Sequence, residues 1–210
     1  GELLQQLDED KLADDTIVFF YSDHGSGMPR HKRALLDSGM RVPLLVHFPQ
    51  KWRHLARSEP GTTSSQLIDF SDFAPTVLKL AGIAVPSYME GEAFLSADAK
   101  SDRQYVFGHR DRVDEVFDTA RSVRGKRYLY IRTFMPQLGY NQPTAWPDLG
   151  EIRHEFYAAA AIGNLTKPQQ HFVGPTRPIE ELYDCLRDPM NLHNLIDAQE
   201  HSKRLQEMRE

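Results

Sequence analysis

Apolar residues set the first expectations. Leu3, Leu4, Leu7 and Leu12 recur at helical spacing, which predicts a helix over residues 1–13, ended by Asp14 and Asp15. Thr16–Tyr21 is β-branched and aromatic throughout and does not alternate with polar residues. A run apolar on both faces suits a strand buried between helix layers, as in a parallel sheet. "VPLLVHFP", Val42–Pro49, predicts a second such strand with prolines at its ends. About twenty loop residues separate the two runs, long for a compact domain and therefore a place to look for function. "DFSDFAPTVLKLAGI" predicts a short helix capped by Ser71 or Asp72, with Pro75 in its first turn and Gly82 as its stop.

After about residue 100 the pattern changes to alternation, as expected of strands with one wet face. "RQYVFGHR", "ARSVRG" and "KRYLYIRTF" show it, and the Arg-Gly-Lys centre between the last two predicts a hairpin. Residues 136–178 are rich in Pro, Gly, Gln and Asn around a helical patch, "IRHEFYAAAAIG". "EELYDCLRDPMNLHNLI" predicts a last strand, a turn, and a helix opened by Pro189; the tail from Gln199 predicts another helix. The expected fold is therefore α/β. A sheet sandwiched by helices occupies residues 1–100, and a small α+β subdomain with an antiparallel sheet and a C-terminal helix occupies 101–210.

Composition narrows the function classes. The chain has 210 residues, 40% hydrophobic, enough for a substantial core. A formal net charge of −5 with mixed signs argues against a nucleic-acid partner. Cys185 is the single cysteine, so no internal disulfide is possible. No stretch approaches the roughly 18 apolar residues of a membrane helix. The first fifteen residues are polar and amphipathic, unlike a signal peptide, and position 1 is not a methionine. The expectation is that position 1 lies in the middle of something longer.

The chemistry concentrates in "YSDHGSGMPRHKR". In open α/β sheets ligands sit at the carboxyl ends of strands. Asp23 lies just past such a run, with Gly25 and Gly27 letting the backbone turn, so its carboxylate is placed to face a cation. Arg30, His31, Lys32 and Arg33 add positive charge on the same loop. A metal-binding carboxylate beside cations suits a tetrahedral oxyanion, phosphate or sulfate. Asp and Gly are also common turn residues, and the four cations also fit a solvated face. His109, Arg110 and Arg112 form a second group, expected in one turn after a strand; ion pairing with Asp111, Asp114 and Glu115 is its structural alternative.

"ADDTIVFFYSDHG", "PRHKRALLDSGMRVPLLVHFP" and "DFAPTVLKLAGI" together resemble the second half of a type I sulfatase of the alkaline-phosphatase-like superfamily. "VFGHRDRVDEVFDTARSVRGKRYLYIRTF" and "RPIEELYDCLRDPMNLHNL" resemble the C-terminal subdomain of sulfatases grouped with heparan N-sulfatase. The resemblance runs in order through nearly the whole chain. It implies a partial alkaline-phosphatase-like sandwich and hydrolysis of sulfate esters or sulfamates, in particular of sulfated carbohydrate. It implies Asp23 as a metal ligand, with His24 beside the metal or hydrogen-bonded to substrate. It implies Lys32 as the residue that grips the sulfate, Arg30 in the same electrostatic wall, and His109 or Arg110 in contact with the sugar. Its metal is calcium, its nucleophile a formylglycine made within a C/S-x-P/A-x-R segment, and its setting exported. No such segment occurs in this chain, and Cys185 in "YDCLRDP" lacks the spacing, so Cys185 reads as structural. The chain alone is expected to be inactive. A phosphonate monoester or phosphodiester hydrolase of the same superfamily, and a non-catalytic fragment, remain the alternatives.

Overall fold

A computed structural model describes residues 1–96, 99 and 103–210. The chain divides into two compact units, residues 1–22 with 43–106, and residues 23–42 with 107–210. The boundary expected between residues 100 and 101 lies outside the described residues.

In the first unit, α1 (Glu2–Glu9) is followed by a 3₁₀ turn at Ala13–Asp15. The predicted thirteen-residue helix is thus shorter and ends in a tighter turn. β1 (Val18–Tyr21) and β2 (Leu44–His47) pair as a two-stranded sheet, Val18 opposite His47 and Tyr21 opposite Leu44. Their pairing is antiparallel, where the unalternating apolar runs had suggested parallel neighbours. Hydrophobicity reports which faces a strand is suited to bury and is silent on the direction of its partner. Phe20 and Leu45 stay 65% and 60% exposed.

A 3₁₀ turn at Phe70–Asp72 leads into α3 (Phe73–Leu80). The cap is Asp69: its carboxylate accepts from the Ser71 N–H at 2.8 Å, while the Asp72 carboxylate accepts from the Asp69 N–H at 2.8 Å. Asp72, 1% exposed, also takes a bidentate guanidinium from Arg103 at 2.6 and 2.8 Å and the Glu92 N–H at 2.8 Å. Those partners offset the cost of burying its charge. Phe73 is the apolar hub, its ring 4.8 Å from that of Tyr21, 5.3 Å from Phe70 and 5.4 Å from Phe94. Gly82, at φ +71°, ends the helix as predicted.

The second unit is built on a four-stranded sheet in chain order, of β3 (Val106–Val113), β4 (Val116–Arg124), β5 (Tyr128–Thr133) and β6 (Glu180–Asp184). β4–β5 is the predicted hairpin, antiparallel from Ala120 opposite Thr133 to Arg124 opposite Leu129. β5–β6 is also antiparallel, Leu129 opposite Tyr183 and Tyr130 opposite Leu182. Leu129, Ile131, Tyr183, Ala120 and Cys185 form one core cluster with Leu35 and Leu36. The 23–42 segment therefore packs on one face of the sheet. Tyr130 and Leu182 alternate to the opposite face, and α6 (Ser202–Arg209) packs against β5 with Leu205 and Met208 buried.

Two helices lie between β5 and β6. α4 (Glu151–Ala161) is the predicted patch; α5 (Lys167–Val173) was not predicted, although Thr166 and Gln169 form a capping box and a proline sits in its first turn. The helix expected at Pro189 is absent. The Asp188 carboxylate instead accepts the N–H groups of Leu192 and His193 at 2.6 and 2.7 Å, and Asn191 sits at φ +51°, which closes a turn.

Candidate active-site loop

The candidate loop belongs to the second unit. Gly25 donates its N–H to Gly39 O at 3.0 Å, closing residues 25–39 on themselves. The two glycines are required by contact, not by φ. A Cβ on Gly25 would lie 2.0 Å from Ser38 O, and one on Gly39 would lie 2.3 Å from the carbonyls of His31 and Ala34. Inside the closure Lys32 N–H bonds Ser26 O at 3.0 Å, and Ala34 N–H bonds His31 O at 2.9 Å. α2 (Asp37–Met40) is the single helical turn that brings the chain back out.

Asp23 comes two residues after β1, and its side chain is 81% exposed. His24 Nδ1 lies 2.7 Å from Gly25 O. A carbonyl only accepts, so Nδ1 carries a proton and Nε2 faces the Asp23 carboxylate at 3.4 Å. Asp23 and His24 thus stand side by side as a carboxylate and an imidazole, the donor types that would hold a divalent cation. The donors fit a metal as two of its ligands. No group of three or more His, Cys, Asp or Glu with metal-binding geometry occurs among the described residues.

A cavity of about 350 Å³ opens within the second unit. His24, Arg30, Lys32 and Arg110, four of the residues predicted from sequence, line it together with Arg33, Arg153, Arg177 and Glu181. Asp23 is not among its lining residues and reaches it through His24. His109 is exposed and does not line it. Both His109 and Arg110 lie within β3, not in a turn after a strand; strand alternation sends neighbouring side chains to opposite faces, which is why only one of them reaches the cavity.

The cations of this wall differ in what they hold. Arg30 donates to Met190 O at 3.1 Å and Asn191 O at 2.7 Å. Arg33 pairs with Asp114, and Arg153 with Asp148 at 2.9 Å. Arg110 and Arg177 share the buried Asp118, Arg110 Nε standing 2.9 Å from Oδ2. Burial lowers the Arg110 pKa, opposed by Asp118 and assisted by repulsion from Arg177 and Arg33. The Lys32 ammonium has no hydrogen-bond or ion-pair partner among the described residues. His31, the other cation candidate of the loop, is held by Ser26 Oγ at 2.7 Å.

Several residues that shape the site were not singled out from sequence. Glu181, 1% exposed, accepts from the hydroxyls of Tyr140 and Tyr183. Asp37 takes Arg124 bidentately at 2.8 and 2.9 Å, and Asn191 accepts the Asp37 N–H at 3.0 Å. Glu181 and Arg124 sit in strands whose alternation gave a signal for burial and none for pairing, and Asp37 opens the helical turn α2.

Comparison with known proteins agrees with this architecture. The sulfatase family model matches residues 1–83. An ulvan-active sulfatase of Formosa agariphila is 40% identical over 209 residues, covering 100% of this chain and 34% of that protein. Human N-sulphoglucosamine sulphohydrolase is 26% identical over 236 residues, covering 100% of this chain and 43% of that protein. The solved structure of a 2-O GAG sulfatase superposes with a TM-score of 0.66 at 25% identity, over 99% of this chain and 37% of that one. The chain thus spans between a third and a half of the length of these relatives. Residues 1–83 match the sulfatase family, and the chain throughout is similar to part of a sulfatase.

Proposed function

We propose that the chain supplies the cation-facing carboxylate and the anion-gripping lysine of an enzyme that hydrolyses sulfate esters or sulfamates of carbohydrate. One observation carries this. Every arginine on the cavity wall is held by a carboxylate or a backbone carbonyl, while the Lys32 ammonium is left for an incoming anion. Sulfuryl transfer moves negative charge onto the sulfate and leaving-group oxygens, and a fixed ammonium stabilises that charge where it develops. Asp23 and His24 are the proposed ligands, with calcium the metal that a hard carboxylate favours. Such a cation would add Lewis-acid stabilisation of the same charge. Arg110 lies on the wall where a sugar ring would sit beside the sulfate, and Arg30 serves to anchor the loop.

The nucleophile of this proposal is a formylglycine contributed by sequence beyond these 210 residues. The substrate class follows from the relatives, whose names specify ulvan, N-sulphoglucosamine and 2-O GAG substrates. An exported setting accords with substrates of that kind. No helix among the described residues is long and apolar enough to cross a membrane.

The test is product analysis on the complete protein. Sulfated oligosaccharides should release free sulfate at a rate well above the release of phosphate or phosphonate from matched esters. Phosphorus release as the dominant activity would replace the proposal with the phosphonate or phosphodiester alternative. Release of neither would leave the chain a non-catalytic one.

A further inference from the structure

The loop that carries Lys32 is fastened on both sides to one distant residue, Asn191. Two positions before Lys32, the Arg30 guanidinium donates to the carbonyls of Met190 and Asn191 at 3.1 and 2.7 Å. Five positions after it, the backbone N–H of Asp37 donates to Asn191 Oδ1 at 3.0 Å. Asn191 is 1% exposed and sits at φ +51°, a conformation that Asn tolerates better than most side chains. Its own amide nitrogen donates to Asp188 O at 3.3 Å and stands 3.5 Å from Cys185 Sγ. Its side chain is thereby oriented with the oxygen toward Asp37.

The Asp37 carboxylate is held separately by Arg124, so this end of the loop is tied twice, to a strand through the side chain and to the 188–191 turn through the backbone. Ser38 Oγ donates to Arg30 O at 2.6 Å and closes the ring between the two tethers. The Lys32 side chain makes no such anchor among the described residues. A long, flexible lysine aimed at one anion gains its precision from the backbone that carries it.

We propose that Asn191 is a positioning residue for Lys32: it reads the loop on both sides and fixes where the ammonium stands. The proposal rests on the sulfatase function above for its catalytic consequence. Its structural half stands on the geometry alone.

The test uses the complete protein. Asn191→Leu keeps the shape and removes the oxygen, while Asn191→Asp restores an acceptor. For release of sulfate from a sulfated oligosaccharide, Asn191→Leu should lower kcat on the order of ten- to a hundredfold, because misplacing a catalytic group by about 1 Å costs that much. KM should change little, and Asn191→Asp should recover most of the loss. In a Lys32→Ala background, Asn191→Leu should add almost nothing, since it acts through Lys32. A full additional loss in that background, or an unchanged kcat in Asn191→Leu, overturns the proposal.

Amide hydrogen exchange gives the arm that does not need activity. Exchange at Lys32 and Gly39 should quicken in Asn191→Leu while β4 and β5 amides stay protected. Equal protection at Lys32 in both proteins overturns the clamp even if sulfate is released. If wild type releases no sulfate from any substrate, the function fails and the exchange arm decides the clamp alone. Should Asn191→Leu not fold, Arg30→Met cuts the other tether away from the core and must quicken exchange at Lys32 by itself; if it does not, the proposal is wrong.

Discussion

The two sheets of this chain solve the same problem to different degrees. In the second unit, the four-stranded sheet covers one face with Leu35 and Leu36 and the other with α6, and Leu182 is fully buried. In the first unit, β1 and β2 pair with each other and leave Phe20, Tyr21 and Leu45 substantially exposed. A two-stranded sheet cannot bury both of its faces within itself. The lesson is that apolar runs state how much cover a strand needs. They do not state whether the residues at hand provide it. The candidate loop is fastened within the unit that covers itself, which suits the role proposed for Lys32 of holding a charge still.

That contrast can be broken at several points. The largest effect belongs to the site. Asp23→Ala should lower sulfate release by the complete enzyme on the order of a hundredfold, the scale of losing one electrostatic stabiliser. Bound divalent cation per protein, measured by elemental analysis, should fall with it. Retention of both would remove Asp23 from the proposed metal site.

Arg124→Met comes next. It leaves the Asp37 carboxylate buried without its partner, which costs about 3–5 kcal/mol. Denaturant unfolding should show the loss, and exchange should locate it in the 23–42 loop and β4. Leu182→Ala in the same sheet should cost about 2–5 kcal/mol, whereas Leu45→Ser in the exposed sheet should cost less than about 0.5 kcal/mol. Comparable costs at the two leucines would mean that the two sheets are equally covered in solution.

Acid should also act on the self-covered unit. The Arg127 guanidinium holds Asp184 below the usual carboxylate range, and Arg209 does the same to Glu180. A carboxylate with a depressed folded-state pKa adds stability that is present above its unfolded value. That stability is lost as pH falls through the folded value, so it should drain away below about pH 4. Circular dichroism melts from pH 6 to 2 should show Tm falling in that window, and Arg127→Met should flatten the fall.

The smallest effect is at Cys185. Burial, then the Asp37 carboxylate, pushes its thiol up to about 11. Iodoacetamide at pH 8 should leave it unmodified until the protein is denatured. Rapid labelling of the native protein would show that this core opens.

What was legible in the sequence was local. The β4–β5 hairpin announced itself through alternation around Gly125, and Gly82 marked a helix end because φ +71° favours glycine. α5 carries a local signal, Thr166 with Gln169 and an early proline, set within loop-like composition that masks it. Pro189 misled because a proline that can open a helix can equally sit in a turn, and the Asp188 carboxylate chose the turn. The loop residues His24, Lys32 and Arg30, expected together from residue type and resemblance, line one cavity with Arg110. What held them was not readable. Arg30 meets Asn191 across 161 positions and Asp37 meets Arg124 across 87, and no periodicity reports contacts at that range.

In the proposed function, Lys32 is the free charge of a sulfate site. Its most direct measurement is sulfate release by the complete enzyme at saturating sulfated oligosaccharide, comparing wild type with Lys32→Ala at matched metal content. With Lys32 in that role, kcat should fall about a hundredfold or more in Lys32→Ala with the fold intact. A Lys32→Ala enzyme that releases sulfate at the wild-type rate would contradict it.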